Sequence, residues 1–556
     1  MANAFSIFKK VIKKKTGLGK NHVENEQNSR GRGTDPARRD SPDIKKRLEY
    51  IKERLGESKD IVIREFKSNN NNVSFALLYI DGLTDKKLIH DHIIRPIQAN
   101  NMVSSYSQLL TPENAIHTLK EHMSSVSEVT EAPDLTQAFK LVLSGDTALF
   151  IDGIPKILIF GTRAWDKRAV AEPETEAAVR GAREGFTETM RTNTSLLRRR
   201  IRHENLRLET MKAGRRTNTD IVLAYIDDIV NKRTLEEVRL RIAAIDIDGI
   251  LESGYIEEFI EDTPFSVFPQ IEHTERVDKA AAAILEGRIL ILVDNTPFTL
   301  IVPTSFFQFI QASEDYFERP FVAIAQRILR LGVLNIALML PAIYVAMITF
   351  HQEMLPTPLL LSIAAAREGI PFPAVVEALA MEITFEILRE AGVRLPKTVG
   401  QAVSIVGGLV IGDAAIRAGL VSPAMVIVVS ATAISTFAIP AFNASITLRL
   451  LRFPLIILGS IMGLYGVIFG LLIILIHLAG LQSFGVPYLT PLVHGTAPDM
   501  IKTFIRPPWW LSRTRPRLLA PQNEKRQSSN VGNRVPDADQ RELKHEDTEA
   551  KDAGKR

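Results

Sequence analysis

The stretch LGVLNIALMLPAIYVAMITF, from Leu331 to Phe350, is twenty residues long and carries no charged side chain. A helix rises about 1.5 Å per residue, so a helix of this length crosses the roughly 30 Å hydrocarbon core of a bilayer. We therefore expect a membrane-spanning helix here, with Pro341 inside it. This stretch decides the fold because it separates a water-soluble N-terminal part from a lipid-soluble part.

Charged residues are scarce throughout the region that begins with this stretch. Of the 132 Asp, Glu, Lys and Arg residues in the 556-residue chain, 14 fall within the 151 positions from Leu331 to Leu481. The other 405 positions hold the remaining 118. This contrast predicts an α-helical polytopic membrane domain with four spanning helices, at 331–350, 399–421, 424–444 and 453–481. Residues 374–391 are the alternative fifth span.

Lys and Arg residues indicate on which side the chain ends lie. Residues 1–47 hold 13 Lys and Arg against 5 Asp and Glu, and residues 502–517 hold five cations beside two Trp residues. Cytoplasmic segments are enriched in Lys and Arg, so we expect both ends in the cytoplasm, which requires an even number of spans. Arg449 and Arg452 do not fit a four-span topology. They fall in the expected loop between the last two spans, which the same rule would place in the cytoplasm. A fifth span would place that loop inside and the C-terminal tail outside.

An internal repeat organises the soluble part. SFALLYIDGLTDKKLIHDHIIRPI, from Ser74, aligns with DIVLAYIDDIVNKRTLEEVRLRIAAI, from Asp220, when Tyr79 is matched to Tyr225. A second pair follows in the same order, DTALFIDGIPKILIF from Asp146 and GRILILVDNTPFTLIVPT from Gly287. Apolar runs joined by Asp-Gly or Asp-Asn are typical of hairpins. The repeat predicts a soluble α/β domain of two related subdomains.

The resulting domain prediction has six parts. They are a disordered basic arm (1–47), soluble subdomain 1 (48–160), a helical connector (161–209), soluble subdomain 2 (210–320), the transmembrane domain (321–482) and a cytoplasmic tail (483–556) that is disordered after about residue 518. The arginines at 198–200 and 202 of the connector have no interleaved aromatic residues, which favours a solvated or salt-bridged helix face over a nucleic-acid site.

Three glutamates give the strongest indication of function. Glu382, Glu386 and Glu390 are four residues apart, so their carboxylates share one face of a helix. Such a helix, repeated around an axis in several copies, would form a cation-selective constriction. The alternative is an interfacial helix with its acids in water.

Asp413 and Arg417 lie one turn apart inside an expected span. Ionisable groups at membrane depth are costly, so the two side chains are expected to pair or to face a polar cavity. A structural ion pair and an ion-path role are both open for them.

Four glycines, Gly459, Gly463, Gly466 and Gly470, follow one another at spacings of 4, 3 and 4 in the last expected span. A glycine seam lets helix backbones approach closely in lipid. We therefore expect a packing or oligomer contact along this seam.

Several kinds of chemistry have no support in the sequence. The chain contains no cysteine, which excludes disulfides, thiolate metal sites and cysteine nucleophiles. It has no phosphate-binding G-x-x-x-x-G-K-S/T loop after a strand, no H-E-x-x-H and no G-x-S-x-G. We predict no enzyme, no cofactor and no metal site.

Four long motifs resemble the A subunit of GerA-type spore germinant receptors. They are AEPETEAAVRGAREGFTETMRTNTSLLRRRI (171–201), PFSVFPQIEHTERVDKAAAAILEGRILILVDNTPFTLIVP (264–303), EDYFERP (314–320) and LPKTVGQAVSIVGGLVIGDAAIRAGLVSP (395–423). The resemblance extends from about residue 60 to about residue 510.

The resemblance implies a receptor subunit in the inner membrane of a bacterial spore. Its partners would be a transporter-like B subunit and a lipoprotein C subunit, with no nucleic acid involved. A subunits of this kind are expected to assemble with copies of themselves into a nutrient-gated ion channel within membrane lipid. The alternative function is a non-conducting scaffold or signal-relay subunit of the same receptor.

Overall fold

The computed structural model describes most of the chain in several stretches. These are residues 41–56, 58–67, 73–98, 128–164, 180–394, 410–493, 495–519 and 521–527, with isolated positions at 172–173, 175–176, 178 and 408. The expected disordered arm lies outside these residues up to position 40, but its last residues, 44–47, form the first turn of a helix, Ile44–Leu55. The tail, expected to be disordered after about residue 518, is described as far as position 527, where Lys525 forms a β-bridge with Thr514, and lies outside the described residues after that.

The described part of the soluble domain contains ten strands and eight α-helices. The strands are β1 (Ile61–Lys67), β2 (Ser74–Ile80), β3 (Val129–Ala132), β4 (Thr147–Ile151), β5 (Ile157–Phe160), β6 (Leu206–Ala213), β7 (Thr219–Ile226), β8 (Glu272–Thr274), β9 (Ile289–Val293) and β10 (Thr299–Val302). The helices are α1 (Ile44–Leu55), α2 (Lys86–Ile89), α3 (Arg95–Gln98), α4 (Leu135–Val142), α5 (Met190–Arg200), α6 (Lys232–Ala243), α7 (Ser253–Ile260) and α8 (Val277–Glu286). A π-helical turn, His90–Ile94, joins α2 to α3.

Two five-stranded antiparallel sheets confirm the two related subdomains. Their strand orders are β1-β2-β4-β5-β3 and β6-β7-β9-β10-β8, which is the same order in each half. Alternate residues of β2 enter different cores: Leu78 packs with α1 and α4, whereas Leu77 packs with the α2–α3 region. Because helices cover both faces of each sheet, the central strands are apolar at nearly every position.

The repeat begins earlier in the chain than the motifs alone indicate. Asp152, after β4, accepts a hydrogen bond from the first amide of α1 at 3.2 Å, and Asp294, after β9, accepts one from the first amide of α5 at 3.1 Å. Helix α5 is therefore the counterpart of α1. The expected boundary at 209/210 divides β6, and α5 and β6 belong to the second subdomain, whose core includes Leu197.

The charged sequence of α5 conceals this role. Arg198 is fully buried and its Nε lies 2.6 Å from Asp60 of the first subdomain, while Arg199 and Arg200 pair with Glu184. The arginine cluster thus forms salt bridges, and one of them joins the two subdomains.

Seven α-helices follow among the described residues of the second half of the chain. They are α9 (Pro320–Phe350), α10 (Thr357–Arg367), α11 (Ala374–Arg394), α12 (Pro423–Phe437), α13 (Phe442–Met462), α14 (Leu464–Gly480) and α15 (Ala497–Phe504), with a further helical segment at 410–417. Among the described residues, α9 and α13 are long and apolar enough to cross a membrane. The helices α10, α12 and α14 are apolar but shorter.

The expected last span, 453–481, is two helices in the structure. Gly463 has a φ of +64° and separates α13 from α14, a conformation that suits glycine because it has no Cβ. Arg449 and Arg452 consequently lie inside α13, and the loop that was expected to hold them is absent from this described region.

Contacts set the direction of the helices. Arg327, near the start of α9, lies next to the second subdomain, because its Nε is 3.0 Å from Asp315. The other end of α9 lies beside Gly463. Helix α13 starts at the same subdomain, where Asn443 contacts His273 at 3.2 Å, and the last turn of α14 returns there, where His477 contacts Ser266 at 2.9 Å. The α13–α14 hairpin therefore has its tip at the end of α9.

The segment after α14 packs back onto the second subdomain. It begins with a short pair of strands, β11 (Gln482–Ser483) and β12 (Val486–Pro487). Tyr488 is fully buried and its hydroxyl donates to the carbonyl oxygen of Pro269 at 2.6 Å. Further along, the amide of Gln522 donates to the carbonyl of Ile229 at 3.0 Å. The start of α9 and the C-terminal segment are thus on one side of the helical region.

Candidate functional site

The interface between α11 and α13 carries a buried ion pair. Glu382 and Arg452 are 2% and 3% exposed, and a guanidinium nitrogen lies 2.5 Å from the carboxylate. The Nε of Arg452 also donates to the carbonyl oxygen of Ala337 in α9 at 2.9 Å. One arginine therefore connects three helices.

A second ion pair lies one turn along the same interface. Glu386 accepts a hydrogen bond from Arg449 at 2.5 Å. Glu386 comes four residues after Glu382, whereas Arg449 comes three residues before Arg452. This opposite order shows that α11 and α13 are antiparallel. Glu390, the third predicted acid, instead pairs with Arg394 of its own helix at 2.6 Å, and both side chains are exposed. The structure thus divides the three glutamates into two interhelical partners and one exposed carboxylate.

Helix α11 has one face with no covering element in the chain as described. Its exposed positions recur at spacings of three and four: Val376, Ala380, Ile383, Ile387 and Glu390. The stripe is apolar over most of its length and ends in a carboxylate. Arg389, whose guanidinium lies 5.0 Å from the Phe437 ring centre, places this acidic end next to the end of α12.

Asp413 and Arg417 form the ion pair that their spacing indicates. The nitrogen to oxygen distance is 2.8 Å, and the two side chains are 57% and 80% exposed. They lie on the helical segment 410–417, apart from the α11–α13 pairs. Residues 399–407 and 409 of the expected span lie outside the described residues.

The four glycines lie on two packed helices and their connection, because Gly463 ends α13. A Cβ on Gly466 would overlap the carbonyl oxygen of Leu458, and one on Gly470 would come within 2.5 Å of the Leu455 side chain. A Cβ on Gly459 would lie 2.8 Å from the Ala342 carbonyl oxygen in α9. The glycines therefore allow close packing within one chain.

Sequence reasoning missed the basic partners of the acids. The sequence predicts a loop for Arg449 and Arg452, and it does not single out Glu377, which is buried, pairs with Arg367 at 2.8 Å and accepts from the Ser422 amide at 2.9 Å. The signal was present, because an ionisable residue in an apolar segment is expected to have a partner. The identity of each partner needed the tertiary structure.

A buried ionic cluster lies where the second subdomain meets the connector. Lys279 contacts Glu176 at 2.8 Å and Glu272 at 2.9 Å, and Arg288 contacts Glu272 at 2.9 Å. Burial opposes the charged form of Lys279, but these two carboxylates outweigh it and raise its pKa above the usual value. Lys279 is therefore charged and fixed. Within the described part of the chain, His, Asp and Glu form no group of three or more that could hold a metal ion.

Comparison with known proteins identifies the family. The family model described as Bacillus/Clostridium GerA spore germination protein matches residues 49–518. Spore germination protein KA of Bacillus subtilis (strain 168) is 47% identical over 488 residues, which are 88% of each chain. Spore germination protein GerLA of Bacillus cereus is 39% identical over 472 residues, which are 85% of this chain and 94% of that protein.

A solved structure matches the N-terminal half. It is the crystal structure of the N-terminal domain of the A subunit of the Bacillus megaterium spore germinant receptor GerK3, with 38% sequence identity and a TM-score of 0.39. The match covers 48% of this chain and 97% of that one. On the strength of the family model and the two relatives, the chain belongs to the GerA family of spore germination proteins, the family of the germinant receptor A subunits.

Proposed function

We propose that this chain is the pore-forming subunit of a nutrient germinant receptor in the spore inner membrane, and that several copies assemble into a germinant-gated cation channel. The observation that carries the proposal is the exposed stripe of α11, which leads from Val376 through Ile383 and Ile387 to Glu390. Around a shared axis, the isoleucines would form an apolar constriction and Glu390 a ring of carboxylates. The proposed activity is ion conduction, and it requires no catalytic step.

The three glutamates have different roles in this proposal. Glu382 and Glu386 hold α11 against α13 through Arg452 and Arg449. Their charge is compensated within the chain, so their field on a passing ion is weak. Glu390 is 65% exposed and lies at the end of α11 that faces the second subdomain. Its ion pair with Arg394 is exposed to water on both sides and is therefore weak. Glu390 is thus the acid that would attract cations to the mouth of the pore, where its field is superposed with that of every copy.

Helix α10 supports assembly with further chains or lipid. None of its eleven residues is buried, although it contains Leu359 and Leu361, whose side chains are 48% and 64% exposed. A helix of this composition needs an apolar neighbour outside its own chain. Copies of the same subunit, the transporter-like B subunit and membrane lipid are the partners in this proposal, with the lipoprotein C subunit completing the receptor.

The proposed orientation has an even number of crossings. The start of α9 and the segment after α14 both contact the second subdomain, so both ends of the helical region face the same side. We place that side, with the soluble domain, in the cytoplasm because of the basic N-terminal arm and the basic stretch at 502–517.

Planar-bilayer recording of the receptor with its partner subunits and nutrient tests the channel. We expect Glu390→Gln to lower the ratio of cation to anion permeability, whereas Glu353→Gln, an equal charge change on an exposed residue outside α11, should leave it unchanged. A wild-type receptor that responds to nutrient without any conductance would favour the scaffold or relay function. If Glu390→Gln conducts with unchanged cation-to-anion selectivity, α11 does not line the pore.

A further inference from the structure

The loop between α7 and β8 presents a fully exposed aromatic side chain. Among the described residues none shields Phe265 from solvent, and Val267, two residues later, is 41% exposed. A large apolar side chain in water is unfavourable, and a single exposed residue of this kind is common on protein surfaces. The position and rigidity of this loop make it different.

Hydrogen bonds hold the loop in one conformation. The amide of Thr263 donates to Gln270 Oε1 at 3.0 Å, and Gln270 Nε2 donates to the Thr263 carbonyl oxygen at 2.8 Å. The amide of Ser266 donates to the same carbonyl oxygen at 3.0 Å. Phe265 is therefore presented by a fixed turn, so little conformational entropy remains to be lost when it binds.

The acid that precedes the loop is directed toward the protein. Asp262 accepts from Arg241 Nη2 at 2.7 Å and from the amide of Phe484 at 2.6 Å. Its charge is compensated, which leaves Pro264 and Phe265 as the outermost residues of the turn. The tip of the loop is apolar and carries no free charge of its own.

The loop sits against the ends of the α13–α14 hairpin. Ser266 Oγ lies 2.9 Å from Nε2 of His477 in the last turn of α14, and the Thr447 hydroxyl in α13 donates to the carbonyl oxygen of Val267 at 2.6 Å. The neighbouring residues Ile476 and Ile446 are 71% and 42% exposed. The apolar surface of the hairpin therefore continues onto the soluble subdomain at this loop.

Three other phenylalanines are exposed at helix ends on the same side of the helical region. They are Phe321 at the start of α9, Phe437 at the end of α12 and Phe442 at the start of α13. Aromatic residues gather where a membrane protein passes from the hydrocarbon core to the headgroups. Phe265 extends this group from the helices to the soluble domain.

We propose that the loop 263–268 is a membrane anchor, with Phe265 inserted at the acyl boundary of the bilayer that contains the α13–α14 hairpin. The inference rests on the membrane placement of the proposed function. Its partner is lipid acyl chain, because the surface it continues is the one that faces lipid. The anchor would hold the second subdomain at a fixed height on the membrane and limit its rotation relative to α13 and α14.

Site-directed spin labelling tests the anchor, and the absence of cysteine from the natural chain allows single labels without other changes. The full chain carrying Phe265→Cys would be labelled in liposomes of phosphatidylglycerol and phosphatidylethanolamine. Collision with oxygen, which concentrates in acyl chains, is compared with collision with a water-soluble nickel complex. Ile476→Cys on α14 is the lipid reference, and Lys140→Cys on α4 of the first subdomain is the water reference.

The proposal expects Phe265→Cys to resemble Ile476→Cys, with oxygen collisions exceeding nickel collisions. A label at 265 that resembles Lys140→Cys, while Ile476→Cys reports lipid, overturns the anchor and leaves the membrane placement intact. A label at 265 that meets neither reagent indicates contact with protein, such as a second copy, and also overturns it. Nickel access at Ile476→Cys would contradict the membrane placement itself. Because no residue in the described part of the chain packs against Phe265, the substitution leaves no cavity there that could prevent folding.

Discussion

The α11–α13 interface and the helical segment 410–417 contain the same chemistry in different settings. Each carries a carboxylate and a guanidinium within an apolar region, at 2.5 Å for Glu382 and Arg452 and at 2.8 Å for Asp413 and Arg417. The first pair is buried between two helices, and the second is exposed on one helix. The distance between the charges therefore says little about their contribution, which depends on how much water each charge has lost.

The largest expected effect comes from breaking the buried pair. Arg452→Gln would leave the carboxylate of Glu382 buried without a counter-charge, at a cost of about 3 to 5 kcal/mol in stability. We expect a large loss of thermal stability in detergent and poor assembly. Unfolding temperature and the yield of intact receptor measure it.

A double variant tests whether the loss of stability comes from the unpaired charge that a single substitution leaves. Within the described structure, one oxygen of Glu382 and one Nη of Arg452 have no hydrogen-bond partner, so the charged pair is incompletely satisfied. Glu382→Gln with Arg452→Gln should therefore recover most of the stability that Arg452→Gln loses. If the double variant loses as much stability as the two single variants combined, Glu382 and Arg452 contribute independently and their ion pair does not explain the loss.

An intermediate effect is expected at the α13–α14 hairpin. Gly466→Ala would place a Cβ against the carbonyl oxygen of Leu458, and overpacking of this kind costs about 1 to 3 kcal/mol. Gly480→Ala, at the end of α14, meets no atom within 4 Å and is the matched control. Unfolding temperatures in detergent should fall for Gly466→Ala and stay near the natural value for Gly480→Ala. Equal stability of the two variants would mean that the hairpin opens at little cost.

The smallest expected effect comes from the exposed pair. Asp413→Asn and Arg417→Gln should each change stability by about 0.3 to 0.5 kcal/mol, as exposed pairs four residues apart on a helix do. The measurement is the same thermal unfolding, made first on the single subunit and then on the assembled receptor. A small effect in the subunit with a large one in the assembly would show that 410–417 becomes buried between chains.

The soluble domain was largely predictable from sequence. Tyr79 and Tyr225, aligned from the motifs, occupy β2 and β7, and Asp152 and Asp294 follow β4 and β9. Local patterning succeeds here because apolar strands and Asp-Gly or Asp-Asn turns are set by neighbouring residues. The counterpart of α1 was missed, since the charged sequence of α5 resembles a solvated connector until Arg198 is placed against Asp60.

The sequence by itself determined the division into a charged half and an apolar half, the repeat, the helix that bears Glu382, Glu386 and Glu390, and the one-turn spacing of Asp413 and Arg417, which allowed either an ion pair or a polar cavity. These features depend on composition or on residues within about one helical turn of each other. Only the tertiary structure decided that Gly463 divides the last apolar stretch, that Arg449 and Arg452 compensate two of the three acids, and that the C-terminal segment returns to the second subdomain. The reason is physical: Glu382 and Arg452 are 70 residues apart, and the free energy that pairs them comes from removing both from solvent in a packed interface, which no local spacing records.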